Sequence, residues 1–479
     1  MIVSLRTAVG YCILKRTIGQ LEDGKAGDSG MEIRHIRPEE VEQAVKLTDL
    51  VFRSRDPDKK SYAESHPLVF APGLGQSFGV YEGGRLVSFI GLVPSIVKIG
   101  PAAVACYSIG GVCTHPDYRG KGYAEHALRA VTEHVEQAGA SLLLVSGERG
   151  LYSRAHCYPF GSVSRLTLKA GTVEQGGDHA LPRSEVSAGT TSVDAALAGT
   201  APATATSIDA SAGTASATAA SIDAASGAVS AGTTPAIAAS AGVTAAGAEP
   251  RDGLTIREMR DTDWLRVRTA AAGRLCAFEQ SVWDLALLLR AEAAGTVRKQ
   301  SYKLLIAERN DEMLGYAVIG IPYAGADSEA AAIEWAGDGG TVAALLREAL
   351  SRYGLATLSV PVPWHEKELL QELSGSLAAA ETNGGTVKVI SPERLLRQLL
   401  PYLQHKAGDA AGRLRFETAG NGRVLVALAE RSAVLEPSAF VSLLFDPEPA
   451  VGIEDDKLNL ALRKLFPVPF PYTYGLNYI

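Results

Sequence analysis

Residues 112–124 read VCTHPDYRGKGYA, and their setting decides how the chain is built. An apolar, β-branched run, AVACYSIGG at 103–111, leads into them and reads as a buried strand. The segment that follows, YAEHALRAVTEHVEQAG at 123–139, places Ala124, Ala127, Leu128, Val131 and Val135 on one helical face. Glu125, Arg129, Glu133 and Glu136 lie opposite, and Gly139 closes the helix. Next comes SLLLVS at 141–146, wholly apolar, as expected of a strand covered on both faces. Strand, glycine-rich loop, helix and strand form a βαβ unit.

A loop that leaves a buried strand and opens a helix presents free amide N–H groups at the positive end of the helix dipole. Gly120, Gly122 and Ala124 let a bulky anion approach the backbone, and Arg119 and Lys121 add positive charge. A nucleoside triphosphate loop is excluded, because Gly122 and Tyr123 follow Lys121 and no hydroxyl is placed for a metal ion. A dinucleotide fingerprint is excluded too: G-x-G-x-x-G is missing and the preceding strands read as antiparallel. The plain alternative is a basic helix N-terminus whose glycines serve the turn.

Working outward, SFGVYEGGRLVSFIGLVPSIVKIG at 77–100 gives two strands joined at Glu82-Gly83-Gly84. MEIRHIRPEEVEQAVKL at 31–47 gives a strand, a helix start at Pro38 and an amphipathic helix. Later segments repeat this order. LTIREMRDTDW at 254–264 resembles MEIRHIRPEEV, and LLIAERNDEMLGYAVIGIP at 304–322 resembles the first hairpin. IEWAGDGGTVAALLREALSRYG at 333–354 and ATLSVPVP at 356–363 restate strand, loop, helix, strand, so the chain contains an internal duplication. The second loop carries Asp338 where the first is basic, and a carboxylate there repels a pyrophosphate.

Between the copies the composition collapses to Ala, Ser, Thr and Gly, with SIDASAG at 207–213 echoed by SIDAASG at 221–227. So few large apolar side chains cannot offset the entropy of ordering, and the segment reads as a flexible linker spanning on the order of 50 Å. A third block has Ser391 as N-cap, Pro392 at the first helical position and Leu395, Leu396, Leu399 and Leu403 on one face. RLRFETAGNGRVLVAL at 413–428 is a hairpin around Asn421-Gly422. FPVPFPYTYGLNYI at 466–479 is aromatic and proline-rich, apolar enough to dock. The expected divisions are a disordered extension (1–30), a first α/β domain (31–172), the linker (173–250), a second copy (251–384) and a C-terminal α+β domain (385–479).

At 479 residues, with 46% hydrophobic and 21% charged residues, the chain is long enough for several domains. A formal charge of −7 argues against nucleic acid and is compatible with cationic substrates. Five scattered cysteines with no C-x-x-C spacing suggest reduced thiols in a cytoplasmic protein and no metal site. No apolar run reaches bilayer length, so no membrane partner is expected, and MIVSLRTAVGYCILKRTIGQ at 1–20 lacks the ordered zones of a signal peptide.

Arg119-x-x-Gly122-x-Ala124, preceded by Val112 and His115-Pro116, resembles the R/Q-x-x-G-x-G/A motif of the GCN5-related N-acetyltransferases (GNAT). The resemblance implies a mixed central sheet flanked by helices. It implies that Gly120, Lys121, Gly122, Tyr123 and Ala124, with Arg119, hold the pyrophosphate of acetyl-coenzyme A. Val112, Cys113 and Thr114 would align its pantetheine and acetyl carbonyl. ERGLYSRAHCYPFGSV at 148–163 resembles the family's Y-x-x-x-G-F segment, which makes Tyr152 the proton donor to the departing thiolate, with Tyr158 as its rival. His156 stands where the family often has glycine.

The order of the whole chain, two acetyltransferase-like copies and a sterol-carrier-like C-terminal domain, resembles the Eis (enhanced intracellular survival) group. That resemblance implies a homo-oligomer, and it implies that the α-carboxylate of Ile479 is the base that takes the amine's proton. Glu148, four residues before Tyr152, is an alternative base. Cys113 as an acyl carrier and His115 as a base are weaker readings, since buried cysteine usually packs and His115 would face the phosphates. The expected acceptor is an amine of an aminoglycoside, polyamine or peptide lysine. A non-catalytic protein that senses coenzyme A, or binds lipid in the sterol-carrier-like domain, is the alternative.

Overall fold

The computed structural model describes residues 30–54, 60–71, 73–171 and 253–479. The N-terminal extension and the Ala/Ser/Thr/Gly segment lie outside the described residues. Five strands follow one another across the first sheet as they do in sequence: β1 (Met31–His35), β2 (Phe78–Glu82), β3 (Arg85–Ile99), β4 (Ala102–Thr114) and β5 (Leu142–Val145). The first four pair antiparallel, β4 and β5 parallel. The helix Tyr123–Gln137 makes the crossover and buries Ala127, Leu128, Val131 and Val135 against Tyr107, Ile109, Leu143 and Val145. The expected βαβ unit is therefore present. The helix Val41–Phe52 covers the opposite face through Ala44 and Leu47.

After β6 (Val163–Lys169) the second half repeats the plan with β7 (Thr255–Glu258), β9 (Gln300–Arg309), β10 (Glu312–Pro322), β11 (Ala331–Ala336) and β12 (Thr357–Pro363), while β8 (Cys276–Phe278) adds to the far end of β3. Again only the last pair, β11 and β12, is parallel. The duplication extends to single hydrogen bonds. Arg34 on β1 clasps Glu40 with both guanidinium nitrogens at 2.7 and 2.8 Å, and Arg257 on β7 clasps Asp263, also six residues on, at 2.7 and 3.0 Å. Both carboxylates also accept the backbone N–H three residues earlier, at Arg37 and Arg260.

Each sheet receives a strand from the other half. β6 enters the second sheet between β12 and β13 (Leu377–Glu381), and β14 (Thr386–Val389), from the start of the third block, pairs antiparallel with β5 in the first. The described residues before and after the Ala/Ser/Thr/Gly segment accordingly belong to one compact unit.

In the third block the helix Pro392–Ala407 is capped by Ser391, as expected, and lies on the first sheet, where Arg394 donates to Ala140 O at 2.7 Å. With β15 (Leu414–Thr418), β16 (Val424–Leu428), β17 (Arg431–Leu435) and the helices Pro437–Phe445 and Asp456–Leu465 it shares one core with β3, β4 and β5. The tail threads onward from that core. Val468 and Phe470 lie in it, Thr473 donates to the carbonyls of Asn383 and Gly384, Leu476 enters the second half's core and Ile479 reaches the first sheet. Burying a side chain of this size stabilises by roughly 1.5–3 kcal/mol, which holds the tail in place. No described helix is long and apolar enough to cross a membrane.

Candidate active site

β4 and β5 stop pairing at Ile109 and Val145, yet β4 runs on to Thr114, so the strands part at their C-terminal ends. A β-bulge sits at that point: Phe89 opposes Cys113 and Gly91 opposes Gly110, leaving Ile90 across from both Gly111 and Val112. Gly111 has φ +62°, a left-handed conformation that glycine adopts without strain, and its N–H donates to the Tyr62 hydroxyl at 2.9 Å. Beyond the bulge Ser88 donates to Cys113 O and shares a hydrogen bond with Thr114 Oγ1, both 2.9 Å, fixing the end of the strand.

The loop that follows has its own geometry. His115 begins a short 3-10 turn, Pro116–Tyr118, and its ring accepts from the Asp117 amide, while its other nitrogen meets Arg85 at 3.1 Å. His115 is thus held at the start of the loop by the Asp117 amide and Arg85. Gly120 and Gly122 have φ +79° and +77°, which turns the chain into the helix Tyr123–Gln137; the Glu125 amide donates to Gly122 O at 3.0 Å, and the amides before it have no intrahelical acceptor. Arg119 is exposed and lies across the end of β4, its Nε 3.4 Å from Thr114 O. Lys121 pairs with both oxygens of Glu82 at 3.2 Å, and the Tyr123 hydroxyl donates to the same carboxylate. Ala124 is half-buried behind them. The open backbone at Gly120, where an added Cβ would meet nothing within 4 Å, fits a bulky phosphate.

On the other side of the gap Ile479 and Tyr152 each touch one of two adjacent residues, Ser146 and Gly147. Ser146, the residue after β5, donates its hydroxyl to an oxygen of Ile479. Gly110 makes room for that approach: a Cβ there would lie 2.8 Å from the Ile479 main-chain carbon. Tyr152, on the short helix Gly150–Arg154, is buried with its ring against Gly147, the neighbour of Ser146. Burial pushes its phenol up to about 12, so it keeps its proton throughout the neutral range. Tyr158 lies elsewhere, its main chain bridged to Val387 and its hydroxyl 3.0 Å from His156 Nδ1. His156 takes φ +61°, the conformation a glycine would supply. Glu148 is exposed.

Sequence reasoning passed over several neighbours. Tyr62 and His66 stack at 4.1 Å and face Tyr478, with His66 buried and its charged form disfavoured by that burial, which lowers its pKa to about 3. Ser146 carried no motif of its own. The Gly110-Gly111 pair inside an otherwise apolar strand was the available signal of a bulge or a close approach. Cys113 is 5% exposed and burial pushes its thiol up to about 12, which leaves it protonated and packed.

The second copy's equivalent loop is closed. Asp338 caps the helix Gly339–Arg352, accepting from the Thr341 amide at 2.9 Å and its hydroxyl at 2.6 Å. The helix Lys367–Glu372 sits over the same N-terminus, so close that a Cβ on Gly339 would lie 2.7 Å from the Leu369 nitrogen.

Residues 32–158 match the family model described as acetyltransferase (GNAT) domain. Among solved structures the chain is similar to a GCN5-related N-acetyltransferase from Anabaena variabilis ATCC 29413 (TM-score 0.53, 11% identity, covering 92% of this chain and 98% of that one). It is similar to a GCN5-related N-acetyltransferase from Kribbella flavida (TM-score 0.53, 11% identity, covering 94% and 100%). Eis1 from Mycobacterium abscessus aligns with a TM-score of 0.47 at 9% identity, covering 86% of this chain and 89% of that one. No curated protein matches the sequence. At these identities the likeness shows the fold, a mixed α/β architecture.

Proposed function

We propose that this chain, with an acetyltransferase (GNAT) domain matched over residues 32–158, transfers acetyl from acetyl-coenzyme A directly to a primary amine. The observation that carries the reading is the convergence of Tyr152 and Ile479 on Ser146-Gly147, where β4 and β5 part. In this reading the amides of Gly120, Lys121, Gly122, Tyr123 and Ala124, with the side chains of Arg119 and Lys121, hold the pyrophosphate, while Val112, Cys113 and Thr114 align the pantetheine.

The amine arrives as an ammonium ion, and the α-carboxylate of Ile479, held by Ser146, takes one proton. The freed nitrogen lone pair attacks the thioester carbonyl, the new C–N bond forms and the C–S bond breaks. Tyr152 protonates the departing thiolate and is reprotonated by the proton that nitrogen loses as the amide forms. The carboxylate returns its proton to solvent. Residues 385–479 serve as a sterol-carrier-like module that carries the tail to this place.

Thiol release with an amine panel tests the reading. Tyr152→Phe should lower kcat about a hundredfold or more with KM for acetyl-coenzyme A unchanged, the usual range for a lost general acid. One residue added after Ile479 should depress kcat comparably. Because the Tyr152 acid is lost only as pH rises toward about 12, the wild-type rate should show no decline from this group below pH 10. Full turnover in Tyr152→Phe would remove it from the role.

A further inference from the structure

The strand β14 reaches Tyr152 from the far end of the chain. It pairs antiparallel with β5, which sets Thr386 opposite Val145 and Lys388 opposite Leu143. Directly opposed residues share one face of a sheet, and so do alternate residues of one strand. Val145 and Leu143 belong to the core that holds Tyr152 and Cys157, so Thr386 and Lys388 point to that side. Val387, between them, enters the core on the other face.

Both polar side chains end on the segment that carries Tyr152. Thr386 Oγ1 donates to Gly147 O at 3.1 Å, before the helix Gly150–Arg154, and Lys388 Nζ donates to Ala155 O at 2.7 Å, after it. Further on, the backbones of Tyr158 and Val387 exchange hydrogen bonds at 2.9 and 2.8 Å. The Tyr152 ring rests on the first of these points, since a Cβ on Gly147 would lie 3.3 Å from it. The Tyr152 carbonyl accepts from the amides of Ala155 and Cys157, which ties its backbone to the second. A helix of 5 residues has too few hydrogen bonds to hold its own shape. Burial disfavours the charged form of Lys388 and lowers its pKa, so packing alone does not account for a lysine here.

We infer that Thr386 and Lys388 are positioning residues for Tyr152, clasping its helix at both ends so that the phenol keeps its place beside the gap between β4 and β5. The inference rests on the general-acid role proposed above for Tyr152 and adds the residues that hold it there. Proton transfer needs the donor within hydrogen-bond reach in the transition state, and a shift of about 1 Å can cost about a hundredfold in rate. The same run of chain also holds the tail. Asn383 Nδ2 donates to Pro471 O at 2.9 Å, and Thr473 donates to the carbonyls of Asn383 and Gly384 at 2.6 and 2.8 Å. Residues 383–388 thereby bond to the supports of both Tyr152 and Ile479.

The test is a double-mutant cycle in the full chain, reading thiol release from acetyl-coenzyme A with kanamycin, spermidine and a lysine peptide in turn. Lys388→Met keeps the apolar stem and removes the donor. It should lower kcat about tenfold or more, with KM for acetyl-coenzyme A unchanged. In the Tyr152→Phe background the same change should alter kcat less than about twofold, because no phenol is left to misplace. Thr386→Val removes only the hydroxyl and should behave alike, while Thr386→Ser, which keeps the donor, should stay within about twofold of wild type. The Thr386 pair decides the matter if Lys388→Met does not fold. Losses of equal size with and without the Tyr152 hydroxyl would overturn the inference, since the clasp would then serve the fold alone, and would leave the acid standing. Full turnover in both Lys388→Met and Thr386→Val would overturn it too. Full turnover in Tyr152→Phe, or no thiol release with any amine, would overturn the reading on which it rests and the inference with it.

Discussion

Glu82 holds two side chains beside the glycine-rich loop at once. Its carboxylate ties down Lys121 and accepts from the Tyr123 hydroxyl, at the point where the proposed reading puts a pyrophosphate. A phosphate and this carboxylate would compete for one ammonium. The Lys121–Glu82 pair is about half exposed on the lysine side, so solvent screens it and the pair is weak. Glu82→Gln should therefore lower KM for acetyl-coenzyme A by up to about fivefold, with kcat unchanged, in steady-state kinetics. A higher KM would mean that the carboxylate orders the loop and does not compete with the ligand. Arg119, Lys121 and Tyr152 could be singled out as candidates in the sequence because spacing within one segment carries their motifs. Glu82, Ser146 and Tyr62 were not, since their partners lie 39, 333 and 49 positions away.

At the scale of elements, the helix Tyr123–Gln137 and the hairpins were readable because one face of each is buried and the period of the sequence records it. The bulge in β4 left only two glycines as its trace, and the cleft depends on it. Gly110→Ala probes that dependence: its Cβ would press on the Ile479 main chain, 2.8 Å away, from a strand held on both sides. Since the tail is the movable partner, the expected outcome is a kcat lowered at least tenfold with a melting temperature within a few degrees of wild type. Unaltered turnover would show that Ile479 tolerates displacement. The tail itself was readable as apolar. Its path was not, because each of its residues meets a different element.

For the whole molecule, repetition in the sequence indicated two copies, while the exchange of β6 and β14 had no local signature. A strand of four or five residues states which face it buries and says nothing of which edge it joins. The exchange predicts that residues 1–172 and 250–479, produced as two polypeptides in one cell, co-elute in size-exclusion chromatography and recover thiol release. Separately produced pieces that each ran as folded monomers would contradict the pairing.

The same exchange fixes an order of events during synthesis. β5 is LLLV, buried along its whole length, and β14 supplies one of its two edges. When residues 142–145 leave the ribosome, that edge has no partner until residues 386–389 follow, and an uncovered apolar strand edge is a template for association with other chains. The nascent protein must therefore keep that edge from its neighbours while the whole of its second copy is still being made. Slowing translation between the two strands should lengthen this exposed interval and raise the fraction that aggregates.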